Sequence, residues 1–334
     1  MEVTPFCGKH ESTNQCPIAK EIFHQAFGLC FIPLSLKVIL RSPVDRFSQP
    51  ICDGSDIAGL TILIYVEQGV GDAIQFIRYV PLVTQACDKV IIECHRDLSA
   101  LFQNIEGVKQ VMVQGEPLPN FDIQCPLLSL PSVFNTTLKN IPSRVPYISL
   151  DSVLVQKWKD RVQHDDSKLR IGLVWSGSPK YKNDRNRSCS LADFAPFSKF
   201  ADITFYSLQK GKASEQAKNP PEGMKLIDCS EDLNDFTDTA ALIENLDLVI
   251  SVDTAVAHLA GAIGNPVWTL LPFAPDWRWM LNREDSPWYP TMRLFRQPSP
   301  RDWESVIDSI LRELYKFKGA EYGMGADKSG KTEI

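Results

Sequence analysis

The chain has 334 residues, a formal charge of −6 and 44% hydrophobic residues, enough for two ordinary domains with their own cores. The acidic balance excludes a general basic field for nucleic acid, so each basic cluster has to be argued separately. Nine cysteines form no C-x-x-C pair, and several sit in apolar runs such as Val90–Cys94, which points to buried reduced thiols rather than a disulfide framework or zinc site.

Residues 1–55 differ from the rest, with scattered polar residues and one predicted helix near Ile18–Phe27. They read as a leader or the remnant of a helical module. The apolar stretch Ala26–Leu40 is broken by Pro33 and Lys37 and is too short to span a bilayer. With no basic segment directly before it, no export signal is read. The expectation is a cytoplasmic protein, with peripheral membrane contact left open.

From Leu60 onward, strand and helix signals alternate. Leu60–Val66 is a continuous apolar, β-branched run, the pattern of a strand covered on both faces. The turn Glu67-Gln68-Gly69-Val70-Gly71-Asp72 opens a helix with Ala73, Phe76, Ile77, Val80 and Val83 on one stripe, which Pro81 is expected to kink or end. A strand at Lys89–Cys94, a helix near Leu98–Ile105 and short strands at Gln110–Val113 and Asp122–Cys125 complete a compact first half, residues 56–150. Residues 151–168, with a charged helix near Val153–Val162, read as a linker.

The second half, 169–300, carries predicted strands at Ile171–Trp175, Ile203–Leu208, Lys225–Ile227, Leu248–Val252, Val267–Leu271 and Met292–Phe295. Helices near Leu191–Phe200, Thr237–Asn245 and Thr254–Ile263 alternate with them. A last helix, Trp303–Tyr315 within 301–318, is expected to return to the first half, and the Gly- and Lys-rich 319–334 to be a disordered tail. This alternation implies right-handed parallel crossovers, hence an α/β class of doubly wound sheets.

The strongest site signal is Leu248–Gly261. A buried strand ends at Val252, and Asp253 or Thr254 caps a helix whose first turn is small. Small residues there let a ligand approach free N–H groups, and the helix dipole favours an anion such as a diphosphate. His258, one turn inside, is either a packing residue or a phosphate or ribose contact.

Gly69-Val70-Gly71-Asp72 invites a dinucleotide reading, but the third glycine of G-x-G-x-x-G falls at Ile74 and the second strand ends in Cys94-His95, so NAD is disfavoured. What remains is a glycine turn that permits close backbone approach. Asp72 is then either a helix-start aspartate or a general base at the carboxyl edge of the sheet. Two basic segments follow strands on the same edge, Lys180–Arg187 and Gln209-Lys210. They suit phosphate contacts or are simply solvated. The aromatic loop Pro272–Trp279, with Trp288-Tyr289 beyond it, either stacks on a ligand or plugs the junction between the halves.

Together, Tyr65–Tyr79, Cys125–Leu130, Gly172–Leu191, Leu208–Lys210 and Asp235–Trp303 resemble glycosyltransferase family 9, the lipopolysaccharide heptosyltransferase family. The nearer likeness is to the version found behind tetratricopeptide repeats in bacterial proteins. The resemblance implies a GT-B-like fold, two Rossmann-type domains facing a cleft. It also implies inverting, metal-independent transfer from a nucleotide-diphosphate sugar, without a cofactor. It maps the catalytic base onto Asp72 and the donor diphosphate onto Asp253, Thr254 and Ala255, alanine standing where the family has glycine. Lys210, Arg185 and Arg187 are the candidates for the family's basic phosphate contact, and Gly69, Gly71, Gln209 and His258 complete the expected donor set. The acceptor, a glycan, lipid-linked group or protein, falls to the first half, which is shorter than in the heptosyltransferases. Tetratricopeptide signatures are absent from residues 1–55. Two competing expectations are a scaffold module that binds nucleotide sugars without turnover, and a nucleotide-sugar epimerase of similar architecture.

Overall fold

The computed structural model describes residues 46–162 and 167–323, the side chains of 319–323 excepted. The expectations for residues 1–45 and for 324–334 lie outside the described residues. The first half runs β1 (Thr61–Tyr65), α1 (Val70–Phe76), α2 (Val80–Thr84), β2 (Lys89–Cys94), α3 (Arg96–Phe102), β3 (Val108–Val113), β4 (Ile123–Pro126) and α4 (Leu130–Val133). Its strands form one parallel sheet in the order β3-β2-β1-β4. A 3₁₀ turn, Ile77–Tyr79, separates α1 from α2. Pro81 lies in the first turn of α2, where its missing N–H costs no helical bond.

α5 (Ser152–Val162) leads into the second half: β5 (Leu169–Val174), α6 (Asp184–Arg187), β6 (Ile203–Ser207), β7 (Leu226–Asp228), α7 (Phe236–Ile243), β8 (Leu248–Val252), α8 (Ala255–Ile263), β9 (Val267–Leu271), β10 (Met292–Arg296) and α9 (Trp303–Gly323). The second sheet is also parallel, in the order β10-β9-β8-β5-β6-β7. Counted from its own first strand this is the doubly wound order 3-2-1-4-5-6, and the first sheet repeats the 3-2-1-4 part. In both, the chain switches direction beside the first strand, at β1/β4 and β5/β8. Ligands in such sheets bind outside the strand ends at that switch.

Side chains of the second sheet alternate between two cores. Leu248, Ile250 and Val252 of β8 join one cluster, while Val249 faces the other. The α9 residues Trp303, Val306, Ile307, Ile310, Leu311 and Leu314 belong to the first of these, a spacing that makes one helical stripe. Hence α9 lies on the second half's own sheet and does not return to the first half as expected, and it continues to Gly323. The other face of the second sheet shares a single apolar cluster with the first half. Thus the two halves meet through a core rather than a wet seam. Buried Arg78 crosses it, donating to the Trp288 carbonyl at 2.6 Å and to Tyr147 Oη at 3.1 Å. The linker takes part as well: Trp158 of α5 is buried, and its Nε1 donates to Asp238 Oδ1 at 3.1 Å. The segment expected as a helix near Leu191–Phe200 is a 3₁₀ helix, Leu191–Lys199, with Pro196 inside it. Proline has no N–H for an α-helical bond there. Among the described residues, no helix is long and apolar enough to cross a membrane.

Candidate active site

Both switch points open into one cleft of about 1190 Å³. Its walls are mostly loops that follow strands: 68–72 after β1, Asp97 after β2, Leu128 after β4, 176–179 and Tyr181 after β5, 209–213 after β6, 233–236 after β7, 253–256 after β8 and 276–278 after β9. Asp72, Asp253 and Thr254 therefore share one space although they come from different halves.

α8 begins at this cleft without a side-chain cap. Its N-cap residue, Thr254, has extended backbone and takes no N–H from the first turn. The Thr254 hydroxyl instead lies 3.0 Å from Ser251 Oγ. The first turn is therefore left with unfilled N–H groups between half-buried Thr254, Ala255 and Val256. Arg187 stands beside it: Nη1 donates to the Asp253 carbonyl at 2.8 Å and Nε to Asp184 Oδ1 at 3.0 Å. Its guanidinium also covers the Tyr181 ring. Arg185, two positions earlier, is exposed and does not line the cleft.

Two expected ligand contacts are instead engaged by the protein itself. Gln209 is buried; its Oε1 accepts from Trp175 N and Ser176 N at 3.1 and 2.8 Å, and its Nε2 donates to the Ser176 and Lys210 carbonyls. With both donors and both lone-pair sites filled, it ties the ends of β5 and β6 together. Lys210 lines the cleft, but its Nζ donates to the Ser230 and Leu233 carbonyls at 2.6 and 2.8 Å.

The glycine turn serves helix packing. A Cβ on Gly71 would lie 3.0 Å from His258 Cδ2 and 3.6 Å from Ala255 Cα, so glycine lets the start of α1 press onto the start of α8. Gly69 is the N-cap of α1 and has no side chain to fill the first turn. His258 itself is buried, stacked on Trp279, with Nδ1 at 2.9 Å from Tyr289 Oη. Burial first, then the Arg278, Arg78 and Arg187 charges, hold its pKa well below the ordinary value, so it is neutral. It touches the cleft wall mainly as a packing residue.

The charged centre of the cleft is Arg278, which sequence reasoning left undecided. It is buried, and its Nη2 donates to Asp72 Oδ1 at 2.6 Å, Nη1 to Gln75 Oε1 at 2.8 Å and Nε to Asp276 Oδ1 at 2.8 Å. Burial opposes its charge, but Asp276, Asp72 and Asp253 outweigh that and push its pKa well up. Asp253 is raised, by burial first and by the Asp276 carboxylate next. Glu67, also overlooked, spans the ends of β1 and β4: its oxygens accept from Leu127 N and Leu128 N, both at 3.1 Å. Burial, with Asp72 adding to it, raises Glu67 to about 7. The available signal was position, since both follow a strand at the carboxyl edge; neither lies in a recognisable spacing. Among the described residues no group of three or more His, Cys, Asp or Glu side chains is placed to hold a metal ion.

Two parallel nucleotide-type sheets facing a cleft, with both switch points in it, define the GT-B class of glycosyltransferase folds. The comparisons agree. Residues 232–280, which carry α7, β8, α8 and β9, match the model of glycosyltransferase family 9 (heptosyltransferase), so the resemblance read from the sequence holds in the segment that carries the uncapped start of α8. Over 312 residues the chain is 27% identical to Protein FlbA of Caulobacter vibrioides, covering 83% of this chain and 50% of that protein; it spans about half the length of that curated relative. Two solved structures share the fold. One is a family 9 glycosyl transferase from Veillonella parvula (TM-score 0.53, 12% identity, 76% of this chain and 91% of that one). The other is E. coli ADP-heptose lps heptosyltransferase II (TM-score 0.54, 13% identity, 77% and 99%).

Proposed function

We propose that the chain transfers a sugar from a nucleotide-diphosphate donor to an acceptor hydroxyl in a single inverting displacement. The second half (169–300) holds the donor and the first (56–150) presents the acceptor. One observation carries this reading: the uncapped start of α8 opens into the same cleft as the Asp72 carboxylate. Free N–H groups at a helix start and the positive end of its dipole are an anion site. Asp72 Oδ2 has no hydrogen-bond partner among the described residues, Oδ1 being the oxygen that Arg278 holds. In this mechanism Oδ2 accepts the acceptor's proton as its oxygen attacks the anomeric carbon. The bond to the leaving phosphate oxygen breaks on the opposite face. The α8 amides stabilise the charge that develops there, with Arg187 beside them. Lys210 contributes by fixing the 230–233 loop.

The test is a thermal-shift panel of ADP-, GDP-, UDP- and dTDP-sugars, with a nucleoside monophosphate-linked sugar for comparison, followed by turnover of whichever stabilises the protein. ADP-heptose is included because the E. coli fold relative bears that name. Asp72→Asn should lower transfer by on the order of 10³-fold, with donor affinity within about threefold of the parent. Unchanged turnover in that variant removes the base assignment. Stabilisation by a donor that is never turned over selects the scaffold reading instead.

A further inference from the structure

A carboxylate in the third position of a helix has an easy alternative to catalysis. It can fold back onto the free N–H groups at the helix start. Asp72 occupies that position in α1, behind an N-cap glycine that supplies no competing side chain. Its Oδ2 already lies close to that turn, 3.4 Å from where a Cβ on Gly69 would stand, yet the hydrogen bond that the carboxylate accepts comes from elsewhere, Arg278 Nη2 donating to Oδ1.

Arg278 is itself over-determined. Asp276 takes both its backbone N–H and its Nε, at 3.2 and 2.8 Å, and its carbonyl accepts from Trp288 Nε1 at 3.2 Å. The two remaining nitrogens reach Asp72 and Gln75, three residues apart on α1 and so on one face of that helix. A planar guanidinium with three fixed bonds sets direction as well as charge.

Taking Asp72 as the base, we infer that Arg278 is its positioning residue: reaching across from the second half, it holds Oδ1 and keeps Oδ2 turned to the cleft. The carboxylate is thus aligned only where the two halves are joined, so that donor side and acceptor side are completed together. Arg278 need not touch either substrate.

The experiment measures nucleoside diphosphate release from the donor selected by the panel, with ADP-heptose tried first. Arg278→Ala is expected to lower kcat by on the order of 100-fold while the donor KM stays within about threefold. Guanidinium ion at tens of millimolar should then restore kcat at least about tenfold, by refilling the vacated space. It should restore nothing in the Asp72→Asn/Arg278→Ala double variant. Arg278→Lys, which keeps the charge but not the fork, should recover part of the activity, and Tm is followed for each protein. Two results overturn the inference: a kcat for Arg278→Ala within about threefold of the parent, or a loss that neither guanidinium nor lysine relieves and that tracks a fall in Tm. The second marks a structural staple alone. The base reading fails separately, if Asp72→Asn in the parent background retains turnover or no donor is turned over at all.

Discussion

The two sides of the cleft finish their strands in opposite ways. On the first half, carboxylates meet the loop amides: Glu67 takes Leu127 N and Leu128 N, and Asp72 stands in the first turn of α1. On the second half Gln209 fills the amides after β5, and Asp235 caps α7 by accepting from Thr237 N and Asp238 N. The starts of α1 and α8 are both left without a side-chain cap, but α1 carries Asp72 in its first turn and α8 has no acidic residue in its own. Asp253 and Asp276 also line the second wall, but a carboxylate inside the first turn of α1 and open amides without one in that of α8 separate two tasks. A wall of carboxylates can take up protons and repels phosphate; an uncapped helix start attracts it.

The largest expected effect tests the acidic wall. Glu67 is raised from 4.5 to about 7, by burial first, so the folded state binds its proton more tightly than the unfolded chain does. The associated stability is complete below about pH 4.5 and is lost as pH rises through about 7, up to roughly 3 kcal/mol in all. Chemical denaturation across that window should show the decline, and Glu67→Gln should flatten it. An unchanged slope in the variant means that Glu67 is ionised throughout, and the contrast between the walls weakens. Next is the open wall. Thr254→Asp gives α8 the kind of cap that Asp235 gives α7, placing a carboxylate where the anion should sit. Donor affinity should fall by on the order of 100-fold, read by calorimetric titration. Retained affinity would move the phosphate away from α8.

The walls were legible in the sequence to different degrees. β8 was found to the residue because Leu248–Val252 is a short continuous apolar run between turn signals, and the small first turn of α8 was legible from local chemistry, its use as an anion site being our proposal. The roles of Gln209, Lys210 and His258 were not readable. Each is decided by partners 20 to 34 residues away in the chain, such as Ser230 for Lys210, Tyr289 for His258 and Trp175 for Gln209. Arg278 is 206 positions from Asp72, and no periodicity carries information over that distance. The placement of α9 was missed for a related reason: its stripe shows that one face is buried but not which sheet covers it.

Two smaller effects sharpen the contrast within the second half. Asp235→Ala removes the cap of α7 and should cost about 1 kcal/mol, measured by denaturation, with little change in transfer. A large loss of transfer would show that the α7 start also serves the donor. Lys210→Met is the finest test, because it asks whether the open wall works by amides or by side-chain charge. The ammonium bridges the Ser230 and Leu233 carbonyls, so losing it should loosen that loop while donor affinity changes less than about threefold. A tenfold loss with unchanged Tm would mean that the ammonium leaves those carbonyls for the donor. The second half would then hold a diphosphate as the first half holds its protons, through side chains, and the division between the walls would be one of charge rather than of amides.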